Sequence, residues 1–293
     1  MKRLVQFGNE GRGAEEIRWQ SRPSKDSDYT KSKPISRGRS THPLSTKAEV
    51  FMTDTAIIIG AGLPDGIGGA TALRFATEGL HVIVSGRTQA KLDQTVSQIR
   101  TTGGSAEAIV ADVTSAGDLA ALFDRAKELS QRVSSVVYNA GNNHMTPFAD
   151  LMAQDFEANW RVCCFGGFLT AKLAMPVLSK QGSGSIIFTG ASASLRGKPS
   201  FGHFASAKGG LRNLAQALAK EYGPAGVHVA HIIIDGVVNG DRAQTIFGDY
   251  LGKLNEDGAL APAAIADAFW MVHSQHRSAW THELDLRPFS ENW

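Results

Sequence analysis

From Thr55 onward, short apolar runs alternate with longer stretches in which apolar residues recur every three or four positions. A short β-branched run is typical of a strand buried on both faces of a parallel sheet, and the longer period is typical of an amphipathic helix. The runs lie at 56–59, 81–84, 107–111, 134–138, 185–188, 227–234 and 279–286. The helical patterns cover a stretch through Ala72 and Phe75 and the segments 88–102, 117–130, 153–180, 203–222 and 262–274.

This regular alternation predicts an α/β fold, a doubly wound parallel sheet of about seven strands with helices on both faces. No repeat and no boundary divides 54–293, so we expect a single domain there. The stretch 237–258 carries no clear element and is predicted to be mobile. A doubly wound sheet binds its ligand beyond the carboxyl ends of its strands.

Residues 1–51 differ from the rest in composition. They hold 11 Lys/Arg and 6 Asp/Glu, a net charge of +5. The remainder of the chain holds 19 Lys/Arg and 22 Asp/Glu, a net charge of −3. The segment is rich in Ser, Lys, Arg and Pro and lacks apolar periodicity, which predicts a disordered extension. A nucleic-acid arm, a transit peptide, or an upstream start before Met52 are the alternatives.

The chain has 293 residues, 42% hydrophobic and 20% charged, as expected of a globular protein with one sizeable core. No apolar run reaches the ~20 residues of a membrane helix, and no secretory signal is evident. Cys163 and Cys164 are the only cysteines, which suggests a reducing compartment and no structural zinc. We therefore expect a cytoplasmic protein that binds neither membrane, nucleic acid nor metal.

A glycine-rich turn joins the first strand to the first helix. Such a turn lets the backbone approach a pyrophosphate, which then lies at the positive end of the helix. An ordinary glycine-rich loop is the alternative, but the strand and helix on either side favour a dinucleotide site. The candidate cofactor-binding residues are Gly60, Gly62, Gly66, Ile67 and Gly68.

The second strand ends in Ser85-Gly86-Arg87. In dinucleotide-binding folds a carboxylate at this point binds the 2′-hydroxyl of NAD, whereas a basic residue accommodates the 2′-phosphate of NADP. Arg87 supplies the cation and no carboxylate is present, so the sequence favours NADP over NAD. A solvated surface arginine is the alternative.

Together these motifs resemble the short-chain dehydrogenase/reductase family, with its Rossmann-like fold, over about 54–293. The turn resembles the family's Gly-x-x-x-Gly-x-Gly in two registers: Gly62 fits the spacing, whereas Gly60 fits the distance from the strand and implies a two-residue insertion. The resemblance implies further cofactor contacts at Asp112, Val113, Asn139, Ala140, Gly141 and Lys208. It also implies a homodimer or homotetramer that pairs helices 153–180 and 203–222.

The family's catalytic residues carry over only in part. Its Tyr-x-x-x-Lys motif appears as Phe204-Ala205-Ser206-Ala207-Lys208, so the lysine is kept and the tyrosine is replaced. The family's serine aligns with Ala191, beside Ser192, and its helix asparagine aligns with Cys163. The sequence resembles an atypical subgroup with the same Phe-x-x-x-Lys. We take Lys208, Ser192 and Phe204 as the candidate catalytic positions.

A phenyl ring cannot give a proton to the alkoxide that forms when a ketone accepts hydride. Ser192 or Ser194 could hydrogen-bond an oxyanion, and His203 or His144 could act as the acid; the alternative for His203 is a surface or interface role. Lys208 keeps a role as a donor to the cofactor ribose.

Three functions remain open at this point. The first is an NADP-dependent oxidoreductase acting on a small carbonyl or, more favourably, a conjugated enoyl substrate, whose enolate solvent can protonate. The others are a non-redox isomerase or lyase on the same scaffold, and a dinucleotide-binding protein without catalysis. Substrate identity is expected to depend on 142–152, 191–203 and 237–258.

Overall fold

The computed structural model describes residues 53–129, 132–141 and 143–290. The predicted disordered extension at 1–51 lies outside these residues. Within them, the prediction of an α/β domain is confirmed.

Within the described residues, seven parallel strands form one sheet. They are β1 (Thr55–Ile59), β2 (His81–Gly86), β3 (Ser105–Val110), β4 (Val133–Tyr138), β5 (Ser185–Thr189), β6 (His228–Ile234) and β7 (Glu283–Leu286). Their order across the sheet is β3-β2-β1-β4-β5-β6-β7. The chain therefore enters the sheet in its middle, winds outward to β3, then returns and winds outward to β7, as in a doubly wound fold.

Helices cover both faces of the sheet. They are α1 (Ile67–Thr77), α2 (Gln89–Thr101), α3 (Ala116–Glu128), α4 (Ala153–Trp160), α5 (Gly166–Gln181), α6 (Gly202–Tyr222), α7 (Asp241–Leu251) and α8 (Pro262–His273). Alternate residues of β1 enter separate cores. Ile58 packs with α1, α2 and α8, while Ile57 and Ile59 pack with α3, α5 and α6. These two cores explain why the strands are apolar on both faces.

Two expectations about the C-terminal third are wrong. The stretch 237–258 contains α7 and is not without an element. The last strand covers only Glu283–Leu286 rather than 279–286. Residues Arg277–Ala279 form a short 3₁₀ turn instead, and the Trp280 ring stacks on His228 with centroids 4.8 Å apart.

The predicted helix 153–180 is interrupted by a π-helical turn at Arg161–Phe165, between α4 and α5. The whole stretch Ala153–Gln181 is the one helix within the described ranges that is long and apolar enough to cross a membrane, and 50% of its most apolar window is buried in the fold. Buried residues such as Ala171, Ala174 and Leu178 pack in the core beside α3 and α6. Their burial explains the apolar composition of this helix.

Candidate active site

The glycine turn after β1 packs directly against the chain that leaves β4. Gly60 has φ +84°, and a Cβ there would lie 2.3 Å from the backbone nitrogen of Ala140. A Cβ on Gly68 would lie 2.6 Å from the carbonyl oxygen of Gly60, whereas one on Gly62 would meet nothing within 4 Å. The steric need for glycine therefore begins at Gly60, which favours the register with the insertion.

The start of α1 fits a phosphate group. The helix begins at Ile67 after Gly66, and no acidic residue lies in its first turn. The backbone N–H groups of a first turn have no partner within the helix and carry the positive end of its dipole. Because glycines border this turn, a pyrophosphate can approach the backbone, so the residues present fit a dinucleotide.

Arg87 lies just beyond β2, at the same edge of the sheet. Its side chain is exposed, and the described part of the chain gives it no ion pair. The preceding Gly86 lies against the carbonyl oxygen of Ala61, only 2.6 Å from where a Cβ would be. Close packing of the two turns therefore places Arg87 beside the glycine turn.

Asp112 and Val113 follow β3. One carboxylate oxygen of Asp112 accepts hydrogen bonds from the backbone N–H and the hydroxyl of Thr114, both at 2.8 Å. Val113 is buried in the core beneath α5. Asp112 thus stabilises its own turn, and Val113 anchors that turn to the sheet.

Asn139 connects three parts of the site. Its backbone N–H donates to Ile59, and its side-chain amide donates to the carbonyl oxygen of Gly60 at 2.9 Å. Its amide oxygen accepts a hydrogen bond from the Thr189 hydroxyl at 3.0 Å. Asn139 therefore holds the glycine turn and the end of β5 in a fixed relation.

Lys208 on α6 reaches the same point. Its Nζ donates to the carbonyl oxygen of Thr189 at 2.7 Å, and a Cβ on Gly141 would lie 3.6 Å from that Nζ. The residue is only 4% exposed and has no ion pair among the described residues. Burial lowers the pKa of Lys208, since the nearby thiols of Cys163 and Cys164 oppose the shift only in part.

The residues around Lys208 are apolar where a proton donor is expected. Phe204 is 7% exposed, and the Lys208 Nζ lies 5.8 Å from the centre of its ring. Phe204 packs with Cys163, Cys164 and Ala207, and Ala191 and Ala193 border this cluster. We call these six residues the apolar cluster. The three replacements seen in the sequence, at 163, 191 and 204, therefore meet in one place.

The π-helical turn places Cys163 in this cluster. Tyr138, fully buried at the end of β4, donates its hydroxyl hydrogen to the carbonyl oxygen of Val162 within the turn. A Cβ on Gly166 would lie 2.3 Å from the Tyr138 hydroxyl, so glycine is required where α5 begins. Burial raises the pKa of Tyr138 well above its ordinary value, which keeps the hydroxyl a donor.

Ser192 lies beside a buried carboxylate. Burial alone would raise the pKa of Asp235, but the nearby Ser192 hydroxyl and the Arg196 side chain, together with the charges of Arg196 and Arg287, lower it. Arg196 donates to both Asp235 oxygens, at 2.9 and 3.0 Å. The Ser192 hydroxyl therefore lies near a carboxylate that is already paired with Arg196.

Ser194 belongs to a second network, which sequence reasoning did not identify. Arg212 donates to both oxygens of Glu283, at 2.5 and 2.7 Å, and Glu283 accepts from Nδ1 of His231 at 3.2 Å. His231 Nε2 is then an acceptor, so the Ser194 hydroxyl, at 3.3 Å, donates to it. Ser194 also accepts from the backbone N–H of Ala191 at 3.1 Å, which fixes the loop.

No motif marks this network, because its members come from four separate elements. Burial lowers the pKa of His231 to about 4, so the ring is neutral near pH 7. It therefore orients the loop rather than supplying protons.

His203 is fully buried, contrary to the expectation of a surface or interface histidine. The centroid of its ring lies 4.5 Å from that of exposed His144. Burial lowers the pKa of His203, and the charge of Asp155 on α4 opposes this shift only in part. The ring thus faces α4 and the loop after β4, away from the apolar cluster on the same helix.

The structure contains a cavity of about 510 Å³ at the opposite edge of the sheet, where the strands begin. It is lined by residues such as Arg132, Trp270 and Trp280 and includes none of the candidate site residues. Among the described residues, no group of three or more His, Cys, Asp or Glu side chains is arranged to hold a metal ion.

Known proteins are similar to this chain in sequence and in fold. The short chain dehydrogenase family model matches residues 54–250. The chain is 31% identical to the oxidoreductase asL5 of Sarocladium schorii, covering 75% of this chain and 92% of the relative. It is 31% identical to the short-chain reductase NovJ of Streptomyces niveus, over 85% of this chain and 94% of NovJ. A short-chain dehydrogenase structure from Rhodopseudomonas palustris superposes with a TM-score of 0.69 at 33% identity, over 80% of this chain and 99% of that structure.

The chain therefore belongs to the short-chain dehydrogenase/reductase family of oxidoreductases. The site assembled from Gly60, Asn139 and Lys208 lies beyond the carboxyl ends of the central strands, where doubly wound folds bind their ligands.

Proposed function

We propose that the protein is an NADP(H)-dependent oxidoreductase that reduces the conjugated double bond of a small apolar enone or enoyl substrate. We also propose that it belongs to a subgroup with Phe-x-x-x-Lys in place of Tyr-x-x-x-Lys. The observation that carries the proposal is the apolar cluster beside Lys208, because it combines an intact cofactor edge with no tyrosine acid.

The preference for NADP rests on Arg87. A guanidinium group at the end of β2 can accept a 2′-phosphate, and the described part of the chain provides it with no competing carboxylate. The glycine turn and the start of α1 are suited to the pyrophosphate, and Lys208 is suited to donate to the nicotinamide ribose.

The preference for a conjugated double bond rests on proton supply. Bound NADPH supplies hydride. Reduction of a ketone also needs an acid at the oxygen, which contributes ~10²–10⁴-fold to such a reaction. Phe204 and Ala191 carry no ionisable hydrogen, and the Ser192 hydroxyl lies near the Asp235 carboxylate. Hydride at the β-carbon of an enone instead gives a delocalised enolate, whose α-carbon water can protonate.

The test is NADPH consumption with a matched pair of substrates, cyclohexenone and cyclohexanone. We expect turnover of the enone and at least ~10-fold slower turnover of the ketone. Lys208→Met should abolish enone reduction, while Lys127→Met, at an exposed lysine of α3, should leave it unchanged. Faster reduction of the ketone would contradict the proposal. Tight NADPH binding without turnover across a broad enone panel would instead indicate a non-catalytic dinucleotide-binding protein.

A further inference from the structure

Lys208 is an unusual lysine within this fold. It is the one lysine in the described ranges whose side chain is buried; Lys91, Lys127, Lys172, Lys180, Lys198, Lys220 and Lys253 are all exposed. Within the described ranges no carboxylate neutralises it, and its hydrogen-bond partner there is the uncharged carbonyl oxygen of Thr189. A buried ammonium group without a counter-charge is costly, so the free amine gains in population.

The surroundings offset this cost only in part. The face of the Phe204 ring favours the charged amine, and the thiols of Cys163 and Cys164 raise the pKa of Lys208, but burial is the larger effect and lowers it. The other titratable group close enough to interact is His231, which burial keeps neutral. A lysine desolvated in an apolar pocket is a recognised type of amine nucleophile.

The amine lies close to exposed Gly141. A Cβ on that residue would lie 3.6 Å from Nζ, so the glycine leaves space for a methyl-sized group beside the nitrogen. The same edge of the sheet is the ligand-binding edge of a doubly wound fold. A small carbonyl compound bound at this edge therefore lies near the amine.

We propose that the Lys208 amine condenses with small aliphatic aldehydes to form an imine, an activity separate from hydride transfer. The nitrogen lone pair attacks the carbonyl carbon, and the resulting carbinolamine loses the oxygen as water together with both hydrogens of the amine. A carbon–nitrogen double bond replaces the carbonyl. Once protonated, this imine withdraws electrons from the adjacent carbon more strongly than the carbonyl does, which suits carbon–carbon or carbon–hydrogen cleavage.

The experiment is reductive trapping of the full chain with butanal and sodium cyanoborohydride at pH 7, followed by peptide mass spectrometry. No nucleotide is added, so the result does not depend on the proposed NADP(H) chemistry. We expect alkylation of Lys208 at least ~10-fold faster than that of Lys198, since each unit of lowered pKa raises the free-amine fraction about tenfold.

Two variants define the result. Lys208→Arg should remove the fast-labelling peptide while retaining the melting temperature to within a few degrees, and Lys198→Arg should leave fast labelling intact. The labelling rate of Lys208 should also reach half its maximum at a lower pH than that of Lys198. If Lys208 in the folded protein is labelled no faster than Lys198, the proposal is wrong. This holds whether the Lys208 amine is slow because it is charged or because it is inaccessible.

Discussion

At the scale of single residues, three positions carry the proposed chemistry. By the resemblance, Ala191, Cys163 and Phe204 align with the family's serine, asparagine and tyrosine, and in the structure they meet in the apolar cluster. Lys208 and Asn139 remain, joined through Thr189. The replacements are therefore confined to one side of the site, away from the glycine turn.

Arg87 allows a prediction at this scale. Arg87→Gln should raise the dissociation constant for NADPH by ~10-fold or more, because a charge-assisted bond to a phosphate is worth roughly 1.5–3 kcal/mol. Binding of NADH, which lacks the phosphate, should change little. Titration of both nucleotides by fluorescence checks this, with Lys91→Gln on the neighbouring helix as the control. An equal rise in the dissociation constants for NADPH and NADH would show that Arg87 does not bind the 2′-phosphate.

The sequence indicated which positions differ from the family's motifs, but it did not indicate what surrounds them in the fold. The resemblance aligned Ala191, Cys163 and Phe204 with the family's polar positions, but it did not show that they form one cluster. Pattern reasoning also misplaced His203, since an isolated histidine beside a helix start carries no signal of burial. Burial of that kind depends on contacts between distant segments.

At the scale of elements, the break between α4 and α5 is the feature that the sequence did not reveal. Periodicity continues through both helices, and one π turn adds a single residue to the register. The tertiary contact with Tyr138 accompanies the change in register. The short helix α7 was missed although apolar residues recur in it at helical spacing, at positions 243, 246, 247, 250 and 251.

Tyr138→Phe should destabilise the fold by about 1–3 kcal/mol, because the carbonyl oxygen of Val162 would lose its buried donor. Chemical denaturation measures the change. Tyr222→Phe, at the end of α6, is the matched control and should stay within ~0.5 kcal/mol of the wild type. A Tyr138→Phe variant as stable as the control would show that the turn forms without this bond.

At the scale of the whole molecule, alternation of strand and helix was sufficient to predict the parallel sheet, its two helical layers and its ligand-binding edge. Local pattern carries this information because each strand is buried on both faces. The exact ends of the strands depend on contacts between side chains from distant segments, and so do the hydrogen-bond networks beneath the loops. The local sequence pattern carries no information about such contacts.

Buried histidines make the stability of the whole fold sensitive to acid. Burial lowers the pKa of both His231 and His273 to about 4, below the ordinary value of 6.5. The unfolded chain therefore binds more protons between pH 6.5 and 4, so stability is full above this window and falls within it, by up to ~1.4 kcal/mol per pH unit for each ring.

Chemical denaturation at a series of pH values should show the free energy of unfolding falling between pH 6.5 and 4. The fall should be smaller in His231→Asn and unchanged in His276→Gln, which alters an exposed histidine. A free energy of unfolding that stays constant from pH 6.5 to 4 would contradict the assignment of neutral buried rings.

We propose a homodimer that pairs the α4–α5 face. Phe156, Trp160 and Phe168 are 38–41% exposed on this face, and Phe165 stacks between the rings of Trp160 and Phe168 at 5.9 and 5.8 Å. Analytical ultracentrifugation should detect the dimer, and the Trp160→Glu/Phe168→Glu variant should sediment as a monomer. Met271→Glu, at an exposed residue of α8, is the control. A monomeric wild type would rule the pairing out.

The central claim is that the cofactor edge is kept while the proton-donating edge has been replaced. Phe204→Tyr tests it most directly, because it restores the hydroxyl beside Lys208 and changes nothing at the glycine turn. We measure NADPH-dependent reduction of cyclohexanone and cyclohexenone by the folded variant. Ketone reduction should rise at least ~10-fold over the wild type while enone reduction changes less than ~3-fold. Ketone reduction that stays at the wild-type level would contradict the claim.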